Sequence, residues 1–198
     1  DGKEIVRNIS PLGFILGDGC LWSNRPALEI TLNIKDEGHL NKFAQAINWK
    51  NKKQYRSAEN TIQMVVSSRE MYDDIISHGI TPRKTFTETF PEIPKHLEHH
   101  LLRGLFDADG SICNHSYWKG KPYASFSLVG SIHCLEHAKR ILGITNKITP
   151  DHTIWKIKKN GTPGVMRIYE ILYAGATVYL DRKFERFQAF KPILTNVA

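Results

Sequence analysis

Hydrophobic and polar residues alternate over residues 28–35, and this is the clearest pattern in the chain. Apolar side chains fall on one face of the segment and polar side chains on the other, which is typical of a β-strand with one buried face. The apolar face consists of Leu28, Ile30, Leu32 and Ile34, and the polar face consists of Glu29, Thr31, Asn33 and Lys35. The pattern predicts a strand that packs on a core and presents a polar surface on its other side.

The same order of elements is predicted twice along the chain. In the first half, the strand is followed by a helix at residues 40–47, strands at residues 52–56 and 61–67, and a helix at residues 70–78. The second half has strands at residues 111–114 and 123–129, a helix at residues 135–142, strands at residues 153–158 and 166–172, and a helix at residues 177–187. With one apolar helix before each set, the unit is αββαββα. We expect an α+β fold formed by a tandem pseudo-twofold duplication. Its half-domains would be residues 1–80 and 98–198, joined by a Thr- and Pro-rich linker at residues 81–97.

The sequence separation between matching residues of the two halves grows along the chain. Leu40 matches Leu135 and Tyr72 matches Tyr179. The second pair is further apart in the sequence than the first, so the second half contains extra residues. We assign them to longer hairpins around residues 118–121 and 159–164. Two halves with unequal loops predict an asymmetric binding surface.

The charge balance narrows the class of partner. The 198 residues include 27 Lys and Arg against 20 Asp and Glu, which gives a net charge of +7 at pH 7. This basic excess suits a nucleic-acid partner. No apolar run has the length of a membrane span, so we expect no membrane contact. The three cysteines form no CxxC pair, which favours a reducing, intracellular compartment: a bacterial or phage-infected cytoplasm, or an organelle.

Two apolar runs, residues 11–19 and 102–110, both end in Asp-Gly. Each has small residues four positions apart: Gly13 and Gly17 in the first, Gly104 and Ala108 in the second. This spacing on a helix lets two helix backbones approach closely. A carboxylate is unfavourable at a helix C-terminus, because the last carbonyl groups carry the negative end of the helix dipole. Asp18 and Asp109 therefore indicate a cation held where the two helix ends meet.

The run at residues 102–110 resembles the signature of the LAGLIDADG homing endonucleases, with seven of its nine positions matched. The run at residues 11–19 is a more degenerate copy, in which Gly13, Ile15, Asp18 and Gly19 match. The duplication is similar to that of the single-chain, two-motif branch of this family and covers almost the whole chain. The resemblance implies antiparallel sheets that form a DNA-binding saddle in the major groove, with the two motif helices at the interface between the halves.

The resemblance also implies an activity and a cofactor. Members of this family are site-specific endonucleases that cut both strands of double-stranded DNA; the implied enzyme acts as a monomer on a long asymmetric target and leaves short 3′ overhangs. Asp18 and Asp109 are then the catalytic metal ligands, together with Gly17 and Ala108. The implied ion is Mg²⁺, with Mn²⁺ as a substitute and Ca²⁺ supporting binding without cleavage.

Lys35 is the candidate for the basic residue that family members keep near each metal site to stabilise charge on the phosphate. Its counterpart in the second copy is Gly130, so the second site has no assigned basic helper. The two DNA strands are therefore expected to be cut at unequal rates.

The polar faces of the alternating strands are the candidates for reading DNA bases. They are Glu29, Thr31, Asn33 and Lys35 in the first half, and Ser125, Ser127, Lys156, Lys158, Arg167 and Tyr169 in the second. Basic residues in turns and at strand ends are the candidates for phosphate contacts, which should supply most of the affinity. They are Arg25, Lys52, Lys53, Arg56, Lys119, Lys121, Lys147 and Lys159, with Arg83 and Lys84 after the first unit and Arg182 and Lys183 after the second.

Two other functions fit the same fold: an intron maturase that binds RNA, and a DNA-binding regulator that has lost its chemistry. The presence of both Asp18 and Asp109 favours a nuclease over the regulator, because loss of catalysis usually replaces at least one of them. It does not separate a nuclease from a protein that also helps an intron RNA to fold.

Overall fold

The computed structural model describes residues 9–118 and 121–190 and contains the predicted unit twice. The first half consists of α1 (Ile9–Asp18), β1 (Gly19–Leu21), β2 (Ala27–Asn33), α2 (Glu37–Ala46), β3 (Gln54–Arg56), β4 (Thr61–Ser67) and α3 (Arg69–Ser77). The second consists of α4 (Glu98–Asp109), β5 (Gly110–Trp118), β6 (Lys121–Gly130), α5 (Ile132–Leu142), β7 (Thr149–Asp151), β8 (Ile154–Asn160) and α6 (Thr162–Tyr173), followed by α7 (Asp181–Gln188). The duplicated αββαββα order is confirmed.

Each half contains one four-stranded antiparallel sheet. The strand orders are β1-β2-β4-β3 and β5-β6-β8-β7, so the two topologies correspond. The registers correspond as well, because Gly19 lies opposite Ile30 and Gly110 lies opposite Leu128. Gly19 and Gly110 directly follow the C-terminal residues of α1 and α4, and both sheets therefore begin at the ends of these helices. The predicted α+β class is confirmed.

The alternation at residues 28–35 produces strand β2. Leu28, Ile30 and Leu32 are buried, whereas Glu29, Thr31 and Asn33 are half-buried. The strand ends two residues earlier than the alternation predicts. Asn33 Oδ1 accepts a hydrogen bond from the backbone N–H of Lys35, which starts a 3₁₀ turn at Ile34–Asp36. Lys35 therefore lies on an exposed turn and not at a strand end.

The largest error of the sequence-based prediction concerns residues 166–172, which belong to α6 and not to a strand. The buried residues have helical spacing, because Val165, Ile168, Tyr169 and Leu172 all face the core. Pro163 lies in the first turn, where proline suits the start of a helix. Strand β8 runs to Asn160 and the chain then enters α6, so residues 159–164 do not form a long hairpin.

The remaining differences are smaller. The β5–β6 hairpin is longer than β1–β2, as predicted, since β5 has nine residues and β1 has three. The strand predicted at residues 52–56 begins only at Gln54, and the final helix begins only at Asp181. Tyr72 lies in α3, whereas Tyr179 lies between α6 and α7, so these residues do not correspond.

One hydrophobic core joins the two halves and encloses both motif helices, α1 and α4. Residues 9–16 of α1 are all buried, and exposure begins at Gly17; in α4 residues 101–107 are buried, and exposure begins at Ala108. Both helices therefore emerge from the core at their C-terminal ends, and the first three residues of α4 are also half-buried. None of the helices in the described part of the chain is long and apolar enough to cross a membrane.

Candidate active site

The motif helices pack with their backbones in contact. A Cβ atom built on Gly13 would lie 1.9 Å from the carbonyl oxygen of Leu101, and one built on Gly104 would lie 2.0 Å from the carbonyl oxygen of Ser10. Neither position has room for a side chain, because the obstructing atoms belong to the opposite backbone. The two glycines thus bring the helices together along the part that is buried.

Asp18 and Asp109 lie where these helices emerge from the core. A Cβ atom built on Gly17 would lie 2.3 Å from the Cβ of Ala108 and 2.8 Å from Oδ2 of Asp109. The carboxylate of Asp109 is therefore packed against the last turn of the opposite helix. All four residues predicted for the helix interface, Gly13, Gly17, Gly104 and Ala108, lie between α1 and α4.

The surroundings of the two carboxylates oppose their ionisation. Burial raises the pKa of Asp18. Burial, and then the negative charge of Asp18, raises the pKa of Asp109 to about 7. Near neutral pH, Asp109 is therefore about half protonated. A divalent cation between the two groups would remove this repulsion, and two carboxylates with room for water and phosphate oxygens are a donor set that suits Mg²⁺.

Two lysines lie at the same helix ends. Lys84 Nζ donates to the carbonyl oxygens of Gly17 at 3.2 Å and Gly19 at 2.5 Å. Lys183 Nζ donates to the carbonyl oxygens of residues 106, 107 and 108 at 2.7, 2.7 and 3.2 Å. Their positive charges offset the negative ends of both helix dipoles. The same charges counteract part of the rise in the pKa of both aspartates, which remains raised. Sequence reasoning named them only as phosphate candidates; the available signal was an Arg-Lys pair after each unit.

The second motif contains an acidic residue that has no counterpart in the first motif. Asp107 is buried, and it accepts hydrogen bonds from the Tyr173 hydroxyl at 2.6 Å and from the backbone N–H of Leu180 at 3.1 Å. Burial raises the pKa of Asp107 to about 6 and lowers that of Lys183 to about 8. The corresponding residue of the first motif is Leu16, so the two lysines have different surroundings.

The segments that carry the lysines each cross to the opposite half. After the first unit, Glu88 Oε1 accepts a hydrogen bond from the backbone N–H of Ser131 at 2.8 Å, and the Glu88 carbonyl accepts one from the Ser131 hydroxyl at 2.6 Å. After the second unit, Arg182 Nε donates to both carboxylate oxygens of Asp36, at 2.9 and 3.1 Å. These contacts fix each lysine relative to both motif helices.

The carbonyl oxygens of Gly17 and Ala108, the other two predicted metal ligands, already have hydrogen-bond donors. Their carbonyl oxygens already accept hydrogen bonds from Lys84 and Lys183, each at 3.2 Å. An ammonium group at this distance repels a divalent cation. Among the described residues, no group of three or more His, Cys, Asp or Glu side chains is placed to hold a metal ion. A carbonyl oxygen has a second lone pair, so the ligand role of Gly17 and Ala108 stays a prediction beside that of the Asp18 and Asp109 carboxylates.

Lys35 is not part of this cluster. Among the described residues, the basic groups that act on the Asp18 carboxylate are Lys183, Lys84 and Arg182. The assignment of Gly130 as the counterpart of Lys35 is also wrong. Strand register places Gly130 two residues beyond Leu128, as Leu32 lies two residues beyond Ile30, so Gly130 corresponds to Leu32.

The polar face of the first sheet is linked by side-chain contacts. Glu29 accepts hydrogen bonds from Trp22 Nε1 at 3.0 Å and from the Thr31 hydroxyl at 3.1 Å. The guanidinium of Arg25 stacks on the Trp22 ring, 4.2 Å from its centroid. The other candidates of this half lie towards the sheet ends: Asn33 at the end of β2, Lys52 just before β3 and Arg56 within β3.

In the second sheet, most of the predicted residues share one face. Ser127 lies opposite Lys158 and Lys156 lies opposite Val129, and Ser125 is on the same face as Ser127. The opposite face carries the buried side chains of Phe126, Leu128 and Ile157. Arg167 and Tyr169 are not on this face, because residues 162–173 form helix α6, on which Arg167 is exposed and Tyr169 is buried. Lys121 opens β6, and Lys119 lies outside the described residues.

Comparison with known proteins identifies the fold. No family model matches the chain, and no curated protein matches it in sequence. Solved structures of LAGLIDADG homing endonucleases match it at low identity. I-SmaMI bound to an uncleaved DNA target in the presence of calcium ions matches with a TM-score of 0.67 and 11% identity, over 96% of this chain and 92% of that chain. I-AabMI bound to uncleaved DNA matches with a TM-score of 0.63 and 12% identity, over 94% and 90%. I-LtrWI bound to target DNA matches with a TM-score of 0.62 and 9% identity, over 100% and 91%. The chain therefore has the LAGLIDADG meganuclease fold.

Proposed function

We propose that this chain is a site-specific endonuclease that hydrolyses both strands of double-stranded DNA with the help of a divalent metal ion. The observation that carries the proposal is the pair Asp18 and Asp109, brought together at the ends of two helices although burial, and then their mutual repulsion, raises the pKa of Asp109 to about 7. Two carboxylates held together against this penalty favour a cation between them, because the cation would neutralise both charges. Solved neighbours with the same fold are bound to DNA, one of them with calcium ions.

Asp18 and Asp109 would hold the ion, which we propose to be Mg²⁺, with Mn²⁺ as a substitute and Ca²⁺ as an ion that supports binding without cleavage. When bound, such an ion neutralises charge on the scissile phosphate and makes water a stronger nucleophile. The protein's own contribution is to fix the two carboxylates and to surround them with positive charge. Binding of the ion at neutral pH would release protons, because the protonated fraction of Asp109 must ionise before the carboxylate can bind the ion.

The two sheets would supply DNA recognition. Each presents a polar face beside the motif helices, and paired strands fit the major groove. The faces are not equivalent: one contains the contacts among Trp22, Glu29 and Arg25, and the other contains Ser127, Lys156 and Lys158. One chain carries both faces, so we propose a monomer that reads a long asymmetric site and leaves short 3′ overhangs.

A selection from randomised duplex DNA tests the proposal. The protein is incubated with the library and Mg²⁺, and the ends of cut molecules are captured and sequenced, with parallel reactions in Ca²⁺ and in EDTA. We expect one long sequence to be enriched among the cut ends in Mg²⁺ only. Binding to a specific duplex with no cutting in Mg²⁺ or Mn²⁺ would overturn the nuclease assignment and support a DNA-binding regulator. Specific binding to intron RNA alone would support a maturase.

A further inference from the structure

Exposed hydrophobic side chains of the described residues are concentrated in one place. Four large hydrophobic residues are exposed, and three of them, Phe86, Ile132 and Trp155, line the same groove. Their exposed fractions are 55%, 50% and 38%, and the groove has a volume of about 360 Å³. Single exposed hydrophobic residues are normal on a protein surface, whereas a cluster around a groove marks a binding site.

The corresponding place in the first half is filled by side chains. There, Leu32 lies opposite Ile62, and these residues are only 9% and 0% exposed. In the second half, Gly130 lies opposite Trp155. A Cβ atom built on Gly130 would lie 3.8 Å from its nearest neighbour, Glu88 Oε1, so the fold has room for a side chain at this position. The groove therefore arises from the identity of these two residues and is not a requirement of the fold.

Phe86 forms the wall of the groove on the linker side. Its backbone has a φ of 72°, in the left-handed region that a bulky residue rarely adopts. The linker is anchored on both sides of it: the backbone N–H of Thr87 donates to the Lys84 carbonyl at 2.8 Å, and Glu88 Oε1 accepts from the backbone N–H of Ser131 at 2.8 Å. An unfavourable backbone conformation that keeps an aromatic ring exposed indicates a functional contact.

The groove lies beside the proposed metal site. Leu128 of β6 lies opposite the residue that follows Asp109, and Gly130 is two residues further along the strand. On the linker side, Phe86 is two residues from Lys84, whose ammonium group is bonded to the end of α1. Two residues span at most about 7 Å, and successive nucleotides of one strand rise about 3.4 Å along a duplex. The groove is therefore about two nucleotides away from a phosphate held at Asp109.

The groove suits a single flat ring better than a larger partner. A stable contact with a second copy of the chain needs about 800 Å² on each side, and three side chains provide far less. An intact duplex on the polar face of the second sheet does not fill the groove, because Gly130 and Trp155 lie on the opposite face with Leu128 and Ile157. A nucleobase that has left the duplex is flat and stacks on aromatic rings whatever its identity. Stacking on two rings would offset the cost of leaving the duplex.

We propose that the groove between Phe86 and Trp155 binds a nucleobase that is displaced from the target duplex, about two nucleotides from the cleaved phosphate. The two rings stack on the base, and Ile132 covers the remaining apolar side. The proposal rests on the proposed endonuclease function and adds a step to it, because one base pair near the cut opens when the duplex binds. No equivalent opening is expected beside the first half, where Leu32 and Ile62 fill the same place.

A mismatch scan tests the proposal. Duplexes that carry the site recovered by selection are given one mismatched base pair at each position around the cut in turn, and affinity is measured by fluorescence anisotropy in Ca²⁺. A mismatched base costs less to displace than a paired one. We therefore expect the wild-type chain to bind about tenfold more tightly when the mismatch lies at one position, on one side of the cut only.

Two variants remove the groove and one is a control. Gly130→Leu combined with Trp155→Ile gives the second half the pair that fills the same place in the first half, and its Tm should equal or exceed that of the wild type. In this variant and in Phe86→Ala, the gain in affinity from the mismatch should fall below about twofold. Tyr55→Ala removes the fourth exposed hydrophobic side chain, which lies on β3, and should keep the full gain.

A gain that persists when the groove is closed would show that the mismatch acts through duplex flexibility, and would overturn the proposal. The proposal would also be wrong if no position gave a gain, or if the wild-type chain were a dimer that Phe86→Ala converts to a monomer. These outcomes leave the nuclease assignment intact, because cleavage of the matched site in Mg²⁺ is measured separately. A wild-type chain that cuts no duplex would overturn the proposed function, whereas the scan can still be made on a duplex selected by binding.

Discussion

Replacing Gly104 with alanine is expected to force the two motif helices apart. The added Cβ would lie 2.0 Å from the carbonyl oxygen of Ser10 and 2.6 Å from the backbone nitrogen of Phe14, whereas ordinary contact begins at 3.4 Å. Both obstructing atoms are backbone atoms of α1, so no side-chain rotation relieves the overlap. The helices can accommodate the methyl group only by separating by about 1 Å or more in a closely packed core.

The magnitude follows from two opposing effects. Overpacking of this kind costs about 3 kcal/mol when the surroundings cannot relax, and the better helix propensity of alanine returns up to about 1 kcal/mol. The net loss in the free energy of unfolding is therefore about 2 kcal/mol. For a chain of this size, that corresponds to a fall in Tm of about 4–8 °C.

Gly38→Ala is the matched control. Gly38 is also a helical glycine, but the nearest atom to its added Cβ is Asp181 Oδ2 at 3.7 Å, which is ordinary contact. This variant gains helix propensity without overlap, so its stability should equal or exceed that of the wild type by up to about 1 kcal/mol. Urea unfolding and thermal melting measure both variants. A Gly104→Ala chain whose stability lies within about 0.5 kcal/mol of the control would refute the account of the helix interface.

Three further predictions concern the Asp36–Arg182 pair between the halves, the metal site and the DNA-binding face. Asp36→Asn should cost about 1–3 kcal/mol in urea unfolding, because Arg182 loses a buried carboxylate partner; Asp73→Asn, whose pair with Arg69 is exposed on both sides, should cost less than about 0.5 kcal/mol. Affinity for Ca²⁺, measured by calorimetry, should fall as the pH is lowered through about 7, because protons compete with the ion for Asp109, and should approach a tenfold loss per pH unit below that value; a flat profile between pH 6 and 8 would contradict a raised pKa for Asp109 in the metal-free site. Lys156→Ala and Lys158→Ala should each reduce the salt-dependence slope of DNA affinity by about 0.9, measured by fluorescence anisotropy, whereas Arg167→Ala on helix α6 should not change it.

The acidic pair and the helix interface could be predicted because their signals are local. A carboxylate beside a helix-ending glycine and small residues four positions apart are visible within nine residues. The alternation of β2 is equally local, since each side chain faces the core or solvent according to its parity. These features required only that two similar helices pack against each other.

Helix α6 was misassigned for a different reason. Its sequence is rich in β-branched and aromatic residues, which favour strands, but the buried positions have helical spacing and Pro163 marks the first turn. Here tertiary burial outweighs the local preference for a strand. In this segment the helical spacing of the apolar residues and Pro163 indicate the structure better than the residue types do.

The lysines of the site could not be assigned from sequence, because their roles arise from contacts across the fold. Lys84 is 67 residues from Gly17, and Lys183 is 75 residues from Ala108. Lys35 ends the most regular pattern in the sequence, which favours a role at a strand end, but the hydrogen bond from its backbone N–H to Asn33 Oδ1 places it in a 3₁₀ turn. Only the corresponding Arg-Lys pairs after the two units hinted at the actual arrangement.

The most direct test of the account is whether the two aspartates are needed for cutting but not for binding. Asp18→Asn and Asp109→Asn are each compared with the wild type on the selected DNA site, with cleavage measured in Mg²⁺ and binding measured in Ca²⁺. Asparagine keeps the shape of each side chain and removes the charge that holds the ion. We predict that each variant loses cleavage by about 100-fold or more while its Kd for DNA stays within about threefold of the wild type. Cleavage at near wild-type rate by either variant would contradict the assignment of this pair as the metal site.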